Sequence, residues 1–489
     1  MNKNHIPALC AGLLASVSLQ SQVAPATPPN IVLILLDDMG YGDLGVTGAT
    51  RFETPHIDQL AHEGVLCTQF YVAQAISSAS RAGLLTGCYP NRIGFSGALS
   101  PTANTGISNR EMTMAELLKQ KNYACGIFGK WHLGHLRPFL PLQHGFDEYL
   151  GLPYSNDMLP MWYDGTILTP QNSTHRKVTF PPLPLIDGNE KVRELRTLDD
   201  QSQLTTLYTE RAVSFIKQHK DKPFFLYLPH SMPHTPLAVS AKFKGKSELG
   251  IYGDVMMEID WSVGQVMETL KALNLDNNTL IIFMSDNGPW LNFGDHAGSA
   301  AGMREGKATT WEGGQRVPCI MRWKGQIKEG QICNQLIASM DLFPTIAALC
   351  NAPLPSNKID GVNIWPLISG KTKISPRHHL LYYFDENNLK AVRNERWKLI
   401  FPHTYRSYEG NLPGINGEPG ETSEKKVTEM ELYDLRRDPG ERYNVISLYP
   451  AVVDELKRVA DAARKDLGDD LTGNKGTGRR PIGQLTDHE

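Results

Sequence analysis

The sequence predicts an α/β protein in which helices cover both faces of a parallel β-sheet, followed by a smaller antiparallel region. Two observations lead to this fold class. Continuous apolar runs that end in charged or polar residues, at 30–36 and 279–284, are typical of strands buried on both faces. Such runs alternate with helical segments along the first 370 residues, and the pattern then changes to short β-rich segments.

The elements of the first region follow from local periodicity and from capping residues. Gly87 lies past the end of one predicted helix, and Ser80 is a suitable residue to begin it. In chain order we predict a strand at 30–36, helices at 55–64, 80–87 and 114–121, a strand at 124–128, a helix at 204–220, a strand at 224–228, a helix at 255–273 and a strand at 279–284.

The second region begins near residue 370. Strands are predicted at 380–384, 390–393 and 397–401, a Gly- and Pro-rich loop at 410–426 and a helix at 451–467. The polar residues that follow predict a flexible tail. We therefore expect an α/β domain over 29–370, an α+β subdomain over 371–468 and a tail over 469–489.

The first 22 residues are predicted to be a secretory signal peptide. Lys3 and His5 precede an apolar stretch at 6–19 that is too short to cross a bilayer. Cys10 lies inside this stretch after Leu9, which argues against a lipoprotein. Export to the periplasm or the medium is expected, and no later stretch is apolar enough to predict a membrane span.

Composition excludes several classes of function. The 489 residues have a formal net charge of −3, so no nucleic-acid partner is expected. A protein of this charge that binds an anion needs a metal or a local basic cluster. The seven cysteines include no C-x-x-C pair. We therefore expect no zinc site, and we interpret the cysteines as buried apolar residues with room for one bridge.

Acidic residues follow two of the predicted strands. Asp37 and Asp38 end the first, and Asp286 and Asn287 end the strand at 279–284. Neighbouring carboxylates repel one another unless a cation lies between them. Three carboxylates and an amide oxygen form a ligand set for Ca²⁺ or Mg²⁺. The alternative is that the two aspartates simply begin a solvated loop.

A third segment of interest begins at Ser77 and runs S-S-A-S-R-A-G-L-L-T-G. A helix N-terminus at this point would attract an anion, although composition alone predicts only a capped helix start. The segment resembles the sulfatase signature C/S-x-P/A-S-R-x-x-L-L-T-G. Further sulfatase-like motifs occur in family order at 37–43, 129–134, 285–288, 306–314 and 431–441. The segment 151–157 resembles the branch of arylsulfatase A and the galactosamine sulfatases.

The resemblance implies an alkaline-phosphatase-like fold with a large, mostly parallel mixed sheet. It also implies that Ser77 is oxidised to formylglycine (3-oxoalanine) by a radical-SAM maturase, as in serine-type bacterial sulfatases, and that Ca²⁺ is favoured over Mg²⁺. The implied metal ligands are Asp37, Asp38, Ser77, Asp286 and Asn287. The implied catalytic residues are Ser77, Arg81, Lys130, His132, His234 and Lys307, with His230 as the rival of His234 for protonating the leaving group.

The resemblance also implies a substrate-facing loop at Ser155, Asn156 and Asp157. Its polar side chains, with Trp162, Tyr163 and Trp290 as surfaces for stacking, predict a carbohydrate substrate. The aromatic residues can equally be ordinary core or surface groups. We expect a sulfated galactose or N-acetylgalactosamine of a host or algal glycan.

Two other functions remain open at this point. The first is a phosphonate or phosphate ester hydrolase of the same superfamily. The second is an inert sulfoglycan-binding protein, which would follow if Ser77 were never oxidised.

Overall fold

The computed structural model describes residues 27–485. The predicted signal peptide and Cys10 lie outside the described residues. None of the helices described is both long and apolar enough to span a bilayer.

A large mixed sheet forms the centre of the first domain. Its strands run in the order β11-β2-β10-β9-β1-β8-β4-β5-β6-β7, and β12 pairs with β2. The pairs around β1 are parallel, whereas β10 runs antiparallel to both β9 and β2. The strands of this sheet are β1 (Asn30–Leu36), β2 (Val65–Tyr71), β4 (Ala124–Lys130), β5 (Glu148–Leu152), β6 (Leu183–Asp187), β7 (Glu190–Leu195), β8 (Phe224–Pro229), β9 (Thr279–Ser285), β10 (Arg316–Arg322), β11 (Gln331–Cys333) and β12 (Ile337–Ala338). The short strand β3 (Thr105–Gly106) lies outside this sheet.

Helices pack on both faces of this sheet. They are α1 (Pro55–His62), α2 (Ser77–Thr86), α3 (Met114–Lys119), α4 (Leu198–Ser202), α5 (Leu204–Gln218), α6 (Ile251–Ala272), α7 (Glu312–Gln315), α8 (Leu342–Leu349) and α9 (Trp365–Ile368). Because side chains alternate along a strand, β1 contributes Ile31 and Leu33 to one core and Val32 and Ile34 to the other. The predicted doubly covered sheet is confirmed.

The second domain is built on an antiparallel sheet of four strands in the order β13-β14-β15-β18. The long helix α10 packs against β14 and β15. The elements are β13 (Leu380–Phe384), β14 (Asn388–Arg393), β15 (Trp397–Ile400), β16 (His403–Ser407), β17 (Ser423–Val427), β18 (Glu431–Asp434), α10 (Pro450–Leu467) and β19 (Gly483–Gln484).

Three sequence-based expectations need correction. The predicted loop at 410–426 ends in β17, which pairs with the missed strand β16. Helix α2 begins at Ser77 with Ile76 as its N-cap, so Ser80 lies inside the helix and does not cap it. Residues 469–485 are not a free tail, because β19 pairs with β3 and Arg480 forms an ion pair with the buried Glu111 at 2.6 Å.

Candidate active site

The acidic residues of the two strand ends meet because β1 and β9 are parallel neighbours in register. Leu36 pairs with Ser285, so the residues that follow each strand leave the sheet together. Asp286 Oδ1 accepts a hydrogen bond from the backbone nitrogen of Asp38 at 3.2 Å. The amide nitrogen of Asn287 donates to Asp38 Oδ1 at 2.7 Å. Residues separated by almost 250 positions therefore form one buried acidic cluster, and ligands of parallel sheets bind at this edge.

Ser77 lies directly beside this cluster, at the first residue of α2. Its hydroxyl donates to Asp37 Oδ1 at 3.0 Å and accepts from Lys130 Nζ at 3.2 Å. Lys130 is the last residue of β4 and also forms an ion pair with Asp37. The Ser77 oxygen is thus held between a carboxylate and an ammonium group at the N-terminus of a helix, where negative charge is favoured.

Two further cations neutralise the acidic cluster. Arg81 donates twice to Asp286 Oδ2, at 3.1 and 2.8 Å, and lies 3.3 Å from Asp37. Lys307 Nζ donates to Asp38 Oδ2 at 2.7 Å. The carboxylates of Asp37, Asp38 and Asp286 thus face the cations Arg81, Lys130 and Lys307. This arrangement is electrically balanced, and a divalent cation would leave it with an excess of two positive charges for an anionic substrate.

The acidic groups respond differently to their burial. Burial and the neighbouring Asp37 carboxylate raise the pKa of Asp286 to about 7, although Arg81 acts against the shift. Burial also tends to raise the pKa of Asp37, but Lys130 and His234 outweigh it and hold this pKa well below its usual range. A divalent cation bound beside Asp286 would lower its pKa further and favour the ionised carboxylate.

The donor set fits a hard divalent cation. Among residues 27–485, Asp37, Asp38 and His234 offer donor atoms that lie within 4.8 Å of one another. The side-chain oxygen of Asn287 is buried and has no hydrogen-bond partner, while its nitrogen is fixed by Asp38 and Gly288. A buried, unpartnered amide oxygen beside carboxylates is a suitable ligand for Ca²⁺ or Mg²⁺.

The histidines divide into two groups. His234 Nε2 lies 3.6 Å from Asp38 Oδ2 and 3.5 Å from Ser155 Oγ. His132 Nε2 donates to the carbonyl oxygen of Leu99 at 3.0 Å, and its Nδ1 is buried without a partner. Both side chains line the same pocket. His230 is instead buried against Ser262 of α6, so its position favours His234 over its rival.

The pocket that contains Ser77 has a volume of about 320 Å³, which suits a small ligand. Ser155, Asp157, Tyr163 and Trp290 line it as the sequence predicts, whereas Trp162 lies outside the lining. Asp157 accepts a hydrogen bond from Tyr163 at 3.2 Å and lies 3.7 Å from Lys177 Nζ.

Asn156 is placed differently from its predicted position. Its side chain is fully buried outside the pocket lining. Its amide nitrogen donates to the carbonyl oxygens of His234 and Pro236, at 3.2 and 3.1 Å, and to Gln201. This placement argues against direct substrate contact, because the side chain is used to hold the loop that carries His234.

Three basic residues of the pocket were missed by sequence analysis: Arg176, Lys177 and Arg406. The ammonium group of Lys177 lies 3.6 Å from the centre of the Tyr163 ring. None of the three belongs to a motif in the sequence. The only available signal was the pair of adjacent basic residues at 176–177, which is also typical of an exposed loop.

Comparison with known proteins agrees with this geometry. The profile of the family "Sulfatase" matches residues 29–352, and that of the "C-terminal region of aryl-sulfatase" matches residues 375–484. Arylsulfatase A of Bos taurus is 39% identical over 476 residues, covering 92% of this chain and 89% of the relative. N-acetylgalactosamine-6-sulfatase of Mus musculus is 37% identical, with 93% and 88% covered.

A solved sulfatase structure has a similar fold. The PsFucS1 sulfatase from Pseudoalteromonas sp. superposes with a TM-score of 0.80 at 28% identity, covering 93% of this chain and 92% of that one. Sequence, fold and site geometry agree. The chain belongs to the sulfatase family, in the branch of arylsulfatase A and N-acetylgalactosamine-6-sulfatase, and is a sulfuric ester hydrolase.

Proposed function

We propose that the protein hydrolyses sulfate esters of carbohydrates with a formylglycine at position 77 as its nucleophile. The observation that carries the proposal is the position of Ser77. Its oxygen is bonded to Asp37 and Lys130, lies at the N-terminus of α2 and lines the pocket. An unmodified serine would form a sulfate ester that requires separate hydrolysis. The hydrated aldehyde has a second hydroxyl that can expel sulfate.

In the first step one hydroxyl of the hydrated aldehyde releases its proton to solvent water, and its oxygen attacks sulfur. The bond between sulfur and the sugar oxygen breaks, and His234 gives the departing oxygen a proton. His234 Nε2 lies 3.6 Å from Asp38 Oδ2 and 3.5 Å from Ser155 Oγ within the pocket. Burial and Lys307 lower the pKa of His234, and Asp38 acts against this shift, so the carboxylate favours the protonated form that this step requires. Lys307 and Lys130 would stabilise the charge that develops on the sulfate oxygens.

In the second step the remaining hydroxyl gives up its proton, with His132 as the base. The carbonyl double bond forms again, the bond between carbon and the sulfate oxygen breaks, and sulfate leaves. Burial is the main cause that lowers the pKa of His132 well below its usual range, and the charge of Lys130 adds to it. The imidazole is therefore neutral and able to accept a proton.

Asp37, Asp38, Asp286 and Asn287 would hold a divalent cation next to residue 77. When bound, such an ion lowers the pKa of a hydroxyl presented to it and stabilises developing negative charge. We propose Ca²⁺, in line with the family resemblance, and Mg²⁺ is the alternative that the same oxygen ligands allow.

The substrate is proposed to be a sulfated galactose or N-acetylgalactosamine. Ser155 and Asp157 offer polar groups to sugar hydroxyls, and Tyr163 and Trp290 offer aromatic surface in the same pocket. A relative that is named for N-acetylgalactosamine-6-sulfate also supports this choice. We further propose that the protein is exported and that a radical-SAM maturase oxidises Ser77, which removes two hydrogen atoms from the side chain.

The test combines mass spectrometry with kinetics. The peptide containing Ser77 should be lighter than the unmodified peptide by two hydrogens when the protein comes from its native host. Matured enzyme should hydrolyse galactose and N-acetylgalactosamine sulfated at single positions. The Ser77→Ala variant should be inactive, whereas Ser214→Ala, a change at an exposed serine of α5, should retain activity.

Three results would contradict parts of the proposal. An unmodified Ser77 peptide would favour the sulfoglycan-binding protein. Faster turnover of a nitrophenyl phosphonate ester than of nitrophenyl sulfate would favour the phosphonate hydrolase. Activity confined to aryl sulfates would exclude the carbohydrate substrate.

A further inference from the structure

The mouth of the pocket carries two basic side chains that the proposed reaction does not use. Arg176 and Arg406 both line the pocket that contains Ser77, and both are exposed. Arg176 begins a short 3-10 helix of the first domain, at Arg176–Thr179, and Arg406 lies on β16 of the second. The two domains therefore each supply one guanidinium group to the same opening.

The other charges of the pocket wall are already paired. Lys177 lies 3.7 Å from Asp157, and Lys307 is bonded to Asp38. Within residues 27–485, no carboxylate lies within 4.0 Å of the charged nitrogens of Arg176 or Arg406. Asp157 offsets Lys177, so Arg176 and Arg406 are the two arginines of the described pocket wall that form no ion pair. Glu424 stands opposite Arg406 across β16 and β17 but does not pair with it.

Arg406 is also connected to the proposed sulfate-binding group. Its guanidinium charge acts on the hydroxyl of Tyr408, where it opposes the rise in pKa that burial causes, and this hydroxyl donates to the backbone carbonyl of Lys307 at 2.6 Å. Along β16 the side chains alternate between buried and exposed, so position 406 faces away from the domain core. A strand of the second domain thereby presents a cation next to the Lys307 loop.

We infer that the pocket selects saccharides that carry a second anionic group beside the sulfate to be removed. This inference rests on the proposed function, because it specifies the substrate class of the same site. Arginine is suited to the task, since its planar group binds carboxylates and sulfates through two parallel hydrogen bonds. The second group is either the carboxylate of a uronic acid or a further sulfate, and both present the required oxygen atoms.

Binding is measured first, so that the result does not depend on turnover. The Ser77→Ala protein is titrated calorimetrically with three saccharides: a monosulfated sugar, the same sugar with a second sulfate, and the same sugar linked to a uronic acid. We expect at least one of the two dianionic ligands to bind about tenfold more tightly than the monosulfated sugar, and added salt should reduce the difference.

Arg176→Gln and Arg406→Gln are then introduced singly and together. Each should weaken binding of the preferred dianionic ligand by about fivefold and leave the monosulfated sugar within about twofold. Arg458→Gln, which changes an exposed arginine of α10, is the matched control and should change neither. The ligand that loses affinity identifies whether carboxylate or sulfate is recognised.

Equal affinity for all three saccharides would overturn the inference, as would equal losses on the monosulfated and dianionic ligands in the arginine variants. Failure of the proposed function has a different signature. In that case the matured wild-type enzyme would not release sulfate from any of the three, whatever the binding data show.

Discussion

Lys398 connects the two domains through a buried ion network, and its removal should destabilise the protein strongly. Its ammonium group lies 2.7 Å from Glu441 and 3.3 Å from Glu312, and donates to the carbonyl of Thr310 at 2.7 Å. All three charged side chains are fully buried. Glu312 belongs to α7, a few residues after Lys307, so the network also anchors the segment that reaches the active site. The substitution to test is Lys398→Met, which keeps most of the apolar stem.

The expected loss follows from leaving two carboxylates buried without their cation. Breaking a buried ion pair costs about 3–5 kcal/mol. Burial raises the pKa of Glu441 to about 7, with Lys398 opposing the shift and Glu312 adding to it. Because the folded-state pKa lies above the unfolded value of 4.5, the contribution of Glu441 to stability is full below pH 4.5 and is lost as pH rises through 7. Without Lys398 the pKa rises further, so the destabilisation should be greater at pH 8 than at pH 5.

The assay is unfolding by scanning calorimetry and urea at both pH values. Lys457→Met changes an exposed lysine of α10 and should be close to wild type. The double variant Lys398→Met with Glu441→Gln should recover part of the loss at pH 8, since the amide carries no charge to bury. A Lys398→Met protein that is as stable as Lys457→Met at pH 8, or that loses more stability at pH 5 than at pH 8, would contradict this role of Lys398.

Three further predictions concern other parts of the molecule. Treatment with a chelator of divalent cations should lower the thermal midpoint, and calcium added at about 100 times its dissociation constant should raise the free energy of unfolding by about 2.7 kcal/mol. The Asn287→Ala protein should require more calcium for the same shift. A midpoint that does not respond to calcium would exclude the metal site. Asn156→Leu should lower kcat by about tenfold to a hundredfold, because the loop that carries His234 loses its hydrogen bonds; unchanged single-turnover rates would contradict this. Arg480→Ala should lower the free energy of unfolding by about 1–3 kcal/mol, because it leaves the carboxylate of Glu111 buried and unpaired. It should also make the C-terminal segment more sensitive to proteolysis. Equal cleavage rates in the variant and the wild type would show that other contacts hold the segment.

The main sheet and the acidic cluster were predictable from the chain alone. Continuous apolar runs can only be strands covered on both faces or buried helices, and the charged residues after Leu36 and Ser285 mark where they end. The adjacency of Asp38 and Asp286 was less certain, since it depends on β1 and β9 being neighbours. The start of α2 was misplaced by three residues because Ile76, which caps it, carries no capping signal in its side chain.

Residue types, their motifs and their positions at strand ends were enough to predict the kind of chemistry. Which side chains share the pocket depends on the three-dimensional fold. Asn156 lies next to two lining residues and yet faces the loop of His234, whereas Arg176 and Arg406, separated by 230 positions, reach the same opening. The physical reason is that motifs arise from local backbone geometry, which the neighbouring residues set. The direction of a loop side chain and the meeting of two domains depend on packing across the whole molecule, which no local pattern encodes.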